Sequence, residues 1–217
     1  MSGTNSNRIL TIYKSRTNIL NHMKRLGYNV EDYEQFSINE VDAMFVSSQL
    51  DMLLTHPVDN NRVYIKYYIP NVVRTTGSRQ INKQVLDAFI EDLYEYDTVL
   101  TKKDTLVIIM DEEPNETIVN RMKYLYEHNG IFVVIHNIKR LQFDILSHTL
   151  VPKTKILKDL EAKELQVVLN MKDLKQLPEI SRFDPVSLVL NLRPGQVIEC
   201  ERNSATALNT KYYRICV

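Results

Sequence analysis

Apolar residues recur at helical spacing along much of the chain. This spacing predicts amphipathic helices over residues 8–26, 38–54, 81–96 and 158–171. Pro114 and Asn115 begin a further predicted helix, which continues to His128 and ends at Gly130. Each of these helices presents one apolar face that must pack against another element.

Three runs in the first two thirds of the chain have the composition of strands. They are rich in β-branched and aromatic side chains and cover residues 63–69, 105–110 and 131–136. The second and third runs are continuously apolar, which is typical of strands buried on both faces of a sheet. Because the helix that begins at Pro114 lies between them, we expect a strand, helix, strand unit with parallel strands and a right-handed crossover.

The pattern changes near residue 145. Asp184-Pro185 begins a short helix, since Asp is a good N-cap and Pro suits the first helical position. Two strands then flank a polar loop, and alternation places Ile198 and Cys200 on one face of the first of them. The sequence therefore predicts a mixed α/β, or α+β, fold with two domains, 1–145 and 146–217, the second ending in a β-hairpin.

Composition narrows the possible functions. The 217 residues are 44% hydrophobic and 25% charged, so the chain can bury a core. Its 27 basic and 27 acidic residues cancel, so overall charge gives no attraction to nucleic acid or anionic membrane. The two cysteines favour a reducing compartment, and the polar N-terminus and the lack of a long apolar run predict neither a secretory signal nor a membrane span.

The common sequence signals of catalysis and cofactor binding are missing. No two of the five histidines have the spacing of a helical metal pair, and no cysteine lies near any of them. With only five glycines, the chain contains no phosphate-binding glycine loop and no nucleophile elbow. We therefore predict no catalytic residue, no metal, no cofactor and no small-molecule substrate.

One enzyme hypothesis stays open as an alternative. A nuclease of the PD-(D/E)xK type places an Asp at one strand and an acid two residues before a Lys on the next strand, to hold Mg²⁺ and activate water. The nearest match is Asp59 followed by Tyr64 and Lys66, where a tyrosine occupies the position of the second acid. The acidic run 111–113 could also bind a cation, although a solvated surface at a helix N-terminus is the favoured interpretation.

A second alternative is a free-standing DNA-binding adaptor. Arg74, Arg79 and Lys83 flank a polar loop, and such residues can contact phosphates. Zero net charge argues against this hypothesis, and solvated charges are the favoured interpretation of the loop.

Six short motifs in the last 70 residues occur in a characteristic order. They are HTLVPK from His148, QLPEI, DPV, RPGQV, RNSAT and YYRIC. Together they resemble the small shared subunit of multisubunit DNA-directed RNA polymerases. This is the fifth-largest subunit of eukaryotic polymerases I, II and III, and its archaeal counterpart corresponds to the C-terminal part. The resemblance implies a noncatalytic subunit whose C-terminal module docks on the largest polymerase subunit. It also implies an N-terminal jaw with a nuclease-like sheet, flanked by helices, beside downstream duplex DNA.

The resemblance assigns candidate site residues. Those matching the docking module, and predicted to bind partner subunits, are His148, Pro152, Asp184, Pro185, Arg202, Ser204, Thr206, Tyr213 and Arg214. Those predicted to lie near DNA are Arg74, Arg79, Pro114 and Asn115. Asp184 and Pro185 also have a structural reading as a helix start, and Gly195 matches the module as a turn residue.

Some positions depart from the family pattern. Thr154, Ala205 and Leu208 stand where the family has a histidine, an acid and a glycine. Glu113 and Glu116, beside the predicted DNA-facing residues, would repel phosphate. These departures suggest a divergent lineage, such as a cellular outlier or a large DNA virus with its own polymerase. The expected location is therefore the nucleus or, alternatively, a cytoplasmic virus factory or virion.

Overall fold

The computed structural model describes residues 2–70, 81–203 and 208–217. The chain divides into two compact units, Met1–Phe143 and Asp144–Val217. Both units combine helices with a small sheet, which confirms the predicted α+β class. None of the helices in the described ranges is long and apolar enough to cross a membrane.

The described residues of the N-terminal unit form five α-helices and four strands. Its helices are α1 Ser2–Arg25, α2 Glu31–Glu34, α3 Ile38–Val46, α4 Lys83–Ile90 and α5 Glu116–Tyr124. Its strands are β1 Met52–Thr55, β2 Arg62–Tyr68, β3 Thr105–Met110 and β4 Phe132–Asn137. The helices α4 and α5 continue as π-helical segments, Glu91–Tyr96 and Leu125–Asn129.

The four strands form one sheet in the order β1-β2-β3-β4. β1 pairs antiparallel with β2, while β2, β3 and β4 are mutually parallel. All residues of β3 and β4 are buried, as their continuous apolar sequences predicted. The parallel pairing of β3 and β4 around α5 is therefore confirmed.

The predicted helix over residues 38–54 is wrong in its second half. A capping box starts α3, because the Glu40 carboxylate accepts from the Ser37 backbone N–H at 2.6 Å and the Ser37 hydroxyl accepts from the Glu40 N–H at 3.4 Å. The helix ends at Val46, and Ser48 has a positive φ of 58°. The chain then forms β1, since pairing with β2 satisfies its backbone groups in a way that local periodicity does not reveal.

The described residues of the C-terminal unit form a second four-stranded sheet and two α-helices. Its elements are β5 Lys153–Ile156, α6 Asp159–Val168, β6 Glu179–Ile180, α7 Pro185–Val189, β7 Val197–Arg202 and β8 Thr210–Cys216. The strand order is β5-β7-β8-β6. The predicted terminal hairpin is thus the centre of a larger sheet, flanked by two short strands that the sequence pattern did not reveal.

The hairpin packs on α6 through one face. Apolar side chains from β7, β8, α6 and the neighbouring loops form a single core cluster, consisting of Leu157, Ala162, Leu165, Leu177, Val197 and Ile215. Cys200 and Cys216 are free thiols, and both are buried. Burial raises the pKa of the Cys216 thiol to about 11, so this cysteine stays protonated and packs as a small apolar residue.

Candidate docking site

The C-terminal unit carries an open groove of about 660 Å³. It lies between the segment that leads into β5 and the end of the β7–β8 hairpin at which β7 ends and β8 begins. Its walls are formed by Thr149, Leu150, Val151, Pro152, Lys153, Glu201, Arg202, Asn203, Asn209 and Tyr212. The groove brings together Pro152 and Arg202, two predicted partner-binding residues that are far apart in the sequence.

Strand pairing explains why these two segments meet. β5 runs antiparallel to β7, with Lys153 opposite Glu201 and Thr154 opposite Cys200. The Thr154 hydroxyl donates a hydrogen bond to the Pro152 carbonyl at 2.9 Å and lies 3.9 Å from the Cys200 sulfur. Thr154 therefore fixes the turn before β5 locally, although it stands where the family has a histidine.

An aromatic ring at the groove is flanked by two cations. The Arg202 and Arg214 guanidinium carbons lie 5.8 Å and 5.9 Å from the centre of the Tyr212 ring. The three side chains share a face because Cys200 pairs with Tyr212, Arg202 with Thr210, and Ile198 with Arg214. Burial, and secondarily Cys200, raises the pKa of Tyr212, so its hydroxyl stays protonated and can donate to a ligand.

Tyr212 was not among the residues predicted to bind a partner, whereas its neighbour Tyr213 was. Tyr213 lies on the opposite face, where it packs against the core cluster and donates to Glu199 at 3.1 Å. Burial and then Glu199 raise the pKa of Tyr213. Strand alternation could have separated the two tyrosines, but only the register of the hairpin shows that Tyr212 shares its face with Arg202.

Other predicted partner-binding residues have clear local roles. The His148 side chain is exposed, and its Nδ1 accepts from the Leu150 N–H at 3.2 Å. Asp184 caps α7 by accepting from the Val186 N–H at 2.9 Å, with Pro185 at the first helical position. Both contacts shape the backbone, and a role in partner binding stays a prediction for these residues.

The remaining predictions in this unit fall at its turns and edges. Arg214 donates to the Glu179 carbonyl at 3.3 Å. Gly195 has φ of +90°, which its assignment as a turn residue requires. Ser204, Ala205 and Thr206 lie outside the described residues, while Leu208 is 92% exposed.

In the N-terminal unit, the predicted DNA-proximal residues are only partly described. Arg74 and Arg79 lie outside the described residues. Asn115 caps α5 by accepting from the Ile118 N–H at 3.0 Å, and Pro114 precedes it half-buried. Glu113 forms a 3.0 Å ion pair with Arg140, which partly neutralises the acidic residues at this loop.

The structure corrects the acid assigned to the nuclease hypothesis. Asp51, not Asp59, lies beside Tyr64 and Lys66. Its carboxylate accepts from the Tyr64 hydroxyl at 3.1 Å, from Lys66 Nζ at 3.2 Å and from the Tyr67 N–H at 3.0 Å. Asp59 instead lies in a turn, where its Oδ2 is 3.5 Å from Nδ1 of His56. The prediction of Asp59 was wrong because no strand was predicted before β2. In the structure, β1 pairs with β2 and begins at Met52, so Asp51 lies beside the β2 residues.

The side chains around Asp51 satisfy one another's hydrogen bonds. Burial, and then Asp51, raises the pKa of Tyr64, so the phenol stays neutral and donates to the carboxylate. The other candidate acid, Asp111, makes two bonds to Arg8, at 3.0 Å and 2.6 Å. Within the described ranges, no three metal-ligating side chains are grouped to hold an ion.

The C-terminal unit, which carries the groove, is similar to known proteins. The family profile described as RNA polymerase Rpb5, C-terminal domain, matches residues 143–216. DNA-directed RNA polymerase subunit Rpo5 of Thermococcus onnurineus (strain NA1) is 42% identical over 76 residues, which cover 35% of this chain and 92% of that relative. The Rpo5 subunit of Archaeoglobus fulgidus is 35% identical over 77 residues, covering 36% of this chain and all of that relative.

These similarities confirm the resemblance inferred from the ordered motifs. The similarities cover nearly the whole length of the archaeal relatives. The segment matched by the family profile, residues 143–216, contains every residue that lines the groove. Proteins of this family are structural components, and the catalytic site of the polymerase lies in other subunits. The chain therefore belongs to the Rpb5/Rpo5 family of noncatalytic DNA-directed RNA polymerase subunits.

Proposed function

We propose that this chain is an architectural subunit that docks on the largest subunit of a multisubunit RNA polymerase through its C-terminal domain, residues 146–217. In the same proposal, residues 1–145 form a jaw domain near downstream duplex DNA. The chain works with the transcription machinery, in the nucleus or, for a polymerase encoded by a large DNA virus, in a cytoplasmic virus factory or virion.

The groove beside the β7–β8 hairpin is the observation that carries the proposal. Tyr and Arg are the residues most often found at the energetic centre of protein interfaces, and here Tyr212 lies between Arg202 and Arg214. Leu150, at the groove wall, is 86% exposed, and such apolar side chains lose water when a partner binds. A partner segment that combines a carboxylate with an apolar side chain fits this surface.

Strand pairing is an alternative mode of docking to packing in the groove. β5 covers the outer edge of β7. On the other side of the hairpin, β6 pairs with β8 only at Ile215 and Cys216 among the described residues. A partner segment could therefore add a strand along Thr210–Arg214, whereas a partner that binds through side chains would use the groove.

Charge reversal in the groove tests the proposal. Arg202→Glu is expected to weaken binding of the full chain to the purified largest polymerase subunit by about tenfold or more, because it repels an acidic partner and removes one side of the Tyr212 stack. Lys163→Glu is the matched control, since it makes the same charge change on the exposed surface of α6. Equal dissociation constants for wild type and Arg202→Glu would overturn the groove as the docking site.

Two further assays separate the alternatives. The full chain is expected to leave duplex DNA uncut in Mg²⁺ or Mn²⁺. Tyr64 occupies the position at which the nuclease needs a second acid, and the Asp51 carboxylate is already bonded to Tyr64 and Lys66. Cleavage that disappears in Asp51→Asn would instead establish the nuclease. A free-standing adaptor would bind duplex DNA tightly without other subunits, with a steep dependence on salt.

A further inference from the structure

Arg16 is a buried cation in the middle of α1 whose hydrogen bonding is incomplete. Its side chain is 3% exposed, and Nη1 donates to the Leu50 carbonyl at 3.1 Å. Nε and Nη2 are shielded from solvent and have no hydrogen-bond partner in the part of the chain that the structure describes. Burying a charged donor without an acceptor costs free energy. The place at which a further acceptor could bind is therefore to be sought in the surroundings of Arg16.

Arg16 forms part of the wall of a cavity of about 270 Å³. The cavity lies between α1 and the segment around α2, and is lined by Tyr13, Arg16, Thr17, Leu20, Asn21, Tyr33, Glu34 and Phe36. The centres of the Tyr33 and Phe36 rings lie 5.8 Å and 5.4 Å from the guanidinium carbon. These rings hold the guanidinium plane in place and exclude water, so a ligand would meet a preorganised cation.

The charges around the cavity discriminate between possible anions. Glu34 is half of an ion pair with Lys24, at 2.8 Å, so its negative charge is balanced but still lies at the cavity. A dianionic phosphate would be repelled more strongly by this carboxylate than a monoanion would be. The Nε and Nη2 edge of a guanidinium presents two parallel donors, which match the two oxygens of a carboxylate.

We propose that this cavity is a carboxylate-binding site, in which Arg16 Nε and Nη2 receive the side chain of an Asp or Glu. The natural source is an acidic residue of a neighbouring polymerase subunit, and this part of the proposal rests on the proposed function. Because the two nitrogens are shielded from solvent, the proposal requires the Tyr33 or Phe36 ring to move aside when the carboxylate binds. Burial lowers the pKa of Arg16, and a bound carboxylate would offset that effect.

The site itself is tested without any polymerase. The probe is N-acetyl-aspartate amide, which carries only a side-chain carboxylate, and the signal is the ¹⁵N resonance of Arg16 Nε in the full chain. A saturable shift is expected with the probe and a much weaker response to inorganic phosphate. No saturable shift with the probe, or an equal response to phosphate, would overturn the carboxylate site.

Three variants keep the test interpretable. Arg16→Lys preserves the charge but loses the paired donors, so probe binding is expected to disappear; it is followed here by the backbone amide resonances of Thr17 and Tyr33, which line the same cavity. Arg121→Lys is the matched control, because Arg121 already donates to Asp87 at 2.8 Å and binding should be unchanged. Thr17→Glu leaves Arg16 intact but adds a carboxylate at the cavity wall, so it should shift the Arg16 resonance without ligand and block the probe.

The source of the carboxylate is tested by hydrogen exchange in the assembled polymerase. Peptides covering residues 11–21 and 30–37 are expected to become protected on assembly in the wild type and less so in Arg16→Lys and Thr17→Glu. Protection of residues 144–217 should stay the same in all three. Assembly without protection of the two N-terminal peptides would overturn the subunit source, whereas failure to assemble at all would overturn the proposed function.

Discussion

The Asp51 cluster in the N-terminal unit and the groove in the C-terminal unit both concentrate charged and aromatic side chains, but they use them differently. Asp51 accepts three hydrogen bonds from its own sheet, so its charge is satisfied within the fold. At the groove, Arg202 and Arg214 flank a tyrosine and face outward. A cluster that resembles an enzyme active site can therefore have a purely structural role. A protein-binding surface is recognised instead by charged side chains that face solvent and by exposed apolar area.

Removing Asp51 is expected to produce the largest change. Asp51→Ala leaves Lys66 and the Tyr64 hydroxyl without their acceptor, which should lower the free energy of unfolding by about 2–4 kcal/mol. Asp59→Ala is the control, since that carboxylate is 64% exposed and lies in a turn. Urea denaturation followed by circular dichroism measures both, and equal midpoints for the two variants would contradict the structural role of Asp51.

Acid should destabilise the N-terminal unit. Burial, then His22 and Arg140, lowers the pKa of His136 to about 3, below its ordinary value of 6.5. The unfolded state therefore binds the proton more readily, so stability is retained above pH 6.5 and is lost as pH falls toward 3, by about 2–3 kcal/mol between pH 6.5 and 4.5. His136→Gln should flatten this dependence in unfolding curves recorded across the range. An unchanged slope in the variant would assign the acid sensitivity to other groups.

Two adjacent tyrosines separate attachment from folding within a single strand. Tyr212→Ala should weaken binding to the largest subunit by about 1–3 kcal/mol, or roughly fivefold to 150-fold, with little change in stability. Tyr213→Ala should mainly lower stability, because Tyr213 packs on the core cluster and bonds to Glu199. Binding is measured by calorimetry and stability by thermal unfolding. If both variants affect the same quantity, the two faces of the hairpin do not have separate roles.

The smallest expected change comes from Tyr64→Phe. This variant keeps the ring and removes one hydrogen bond to Asp51, which should lower stability by about 0.5–1.5 kcal/mol. Docking on the largest subunit should be unaffected, because Tyr64 belongs to the other unit. The midpoint of urea denaturation gives the first value and a pull-down gives the second. A loss larger than that of Asp51→Ala would show that the hydroxyl has another partner.

The long elements were predictable, whereas the short strands were not. Periodicity and apolar runs identified α1, α5, β2, β3 and β4, because each buries enough of its own surface to leave a pattern. The strands β1, β5 and β6 have two to four residues and become strands only by pairing with β2, β7 and β8. The nuclease hypothesis assigned Asp59 instead of Asp51 because β1 was not predicted from the sequence.

The sequence by itself determined the fold class, the parallel strand pair around α5 and, through ordered motifs, the polymerase subunit family. These features depend on residue type and spacing, which are local properties of the chain. Only the tertiary structure showed that Tyr212 rather than Tyr213 faces the groove, that Asp51 meets Tyr64, and that two nitrogens of Arg16 are buried without an acceptor among the described residues. Each of these depends on strand register or on the packing of distant segments, because a shift of one residue would turn every side chain of a strand to its other face.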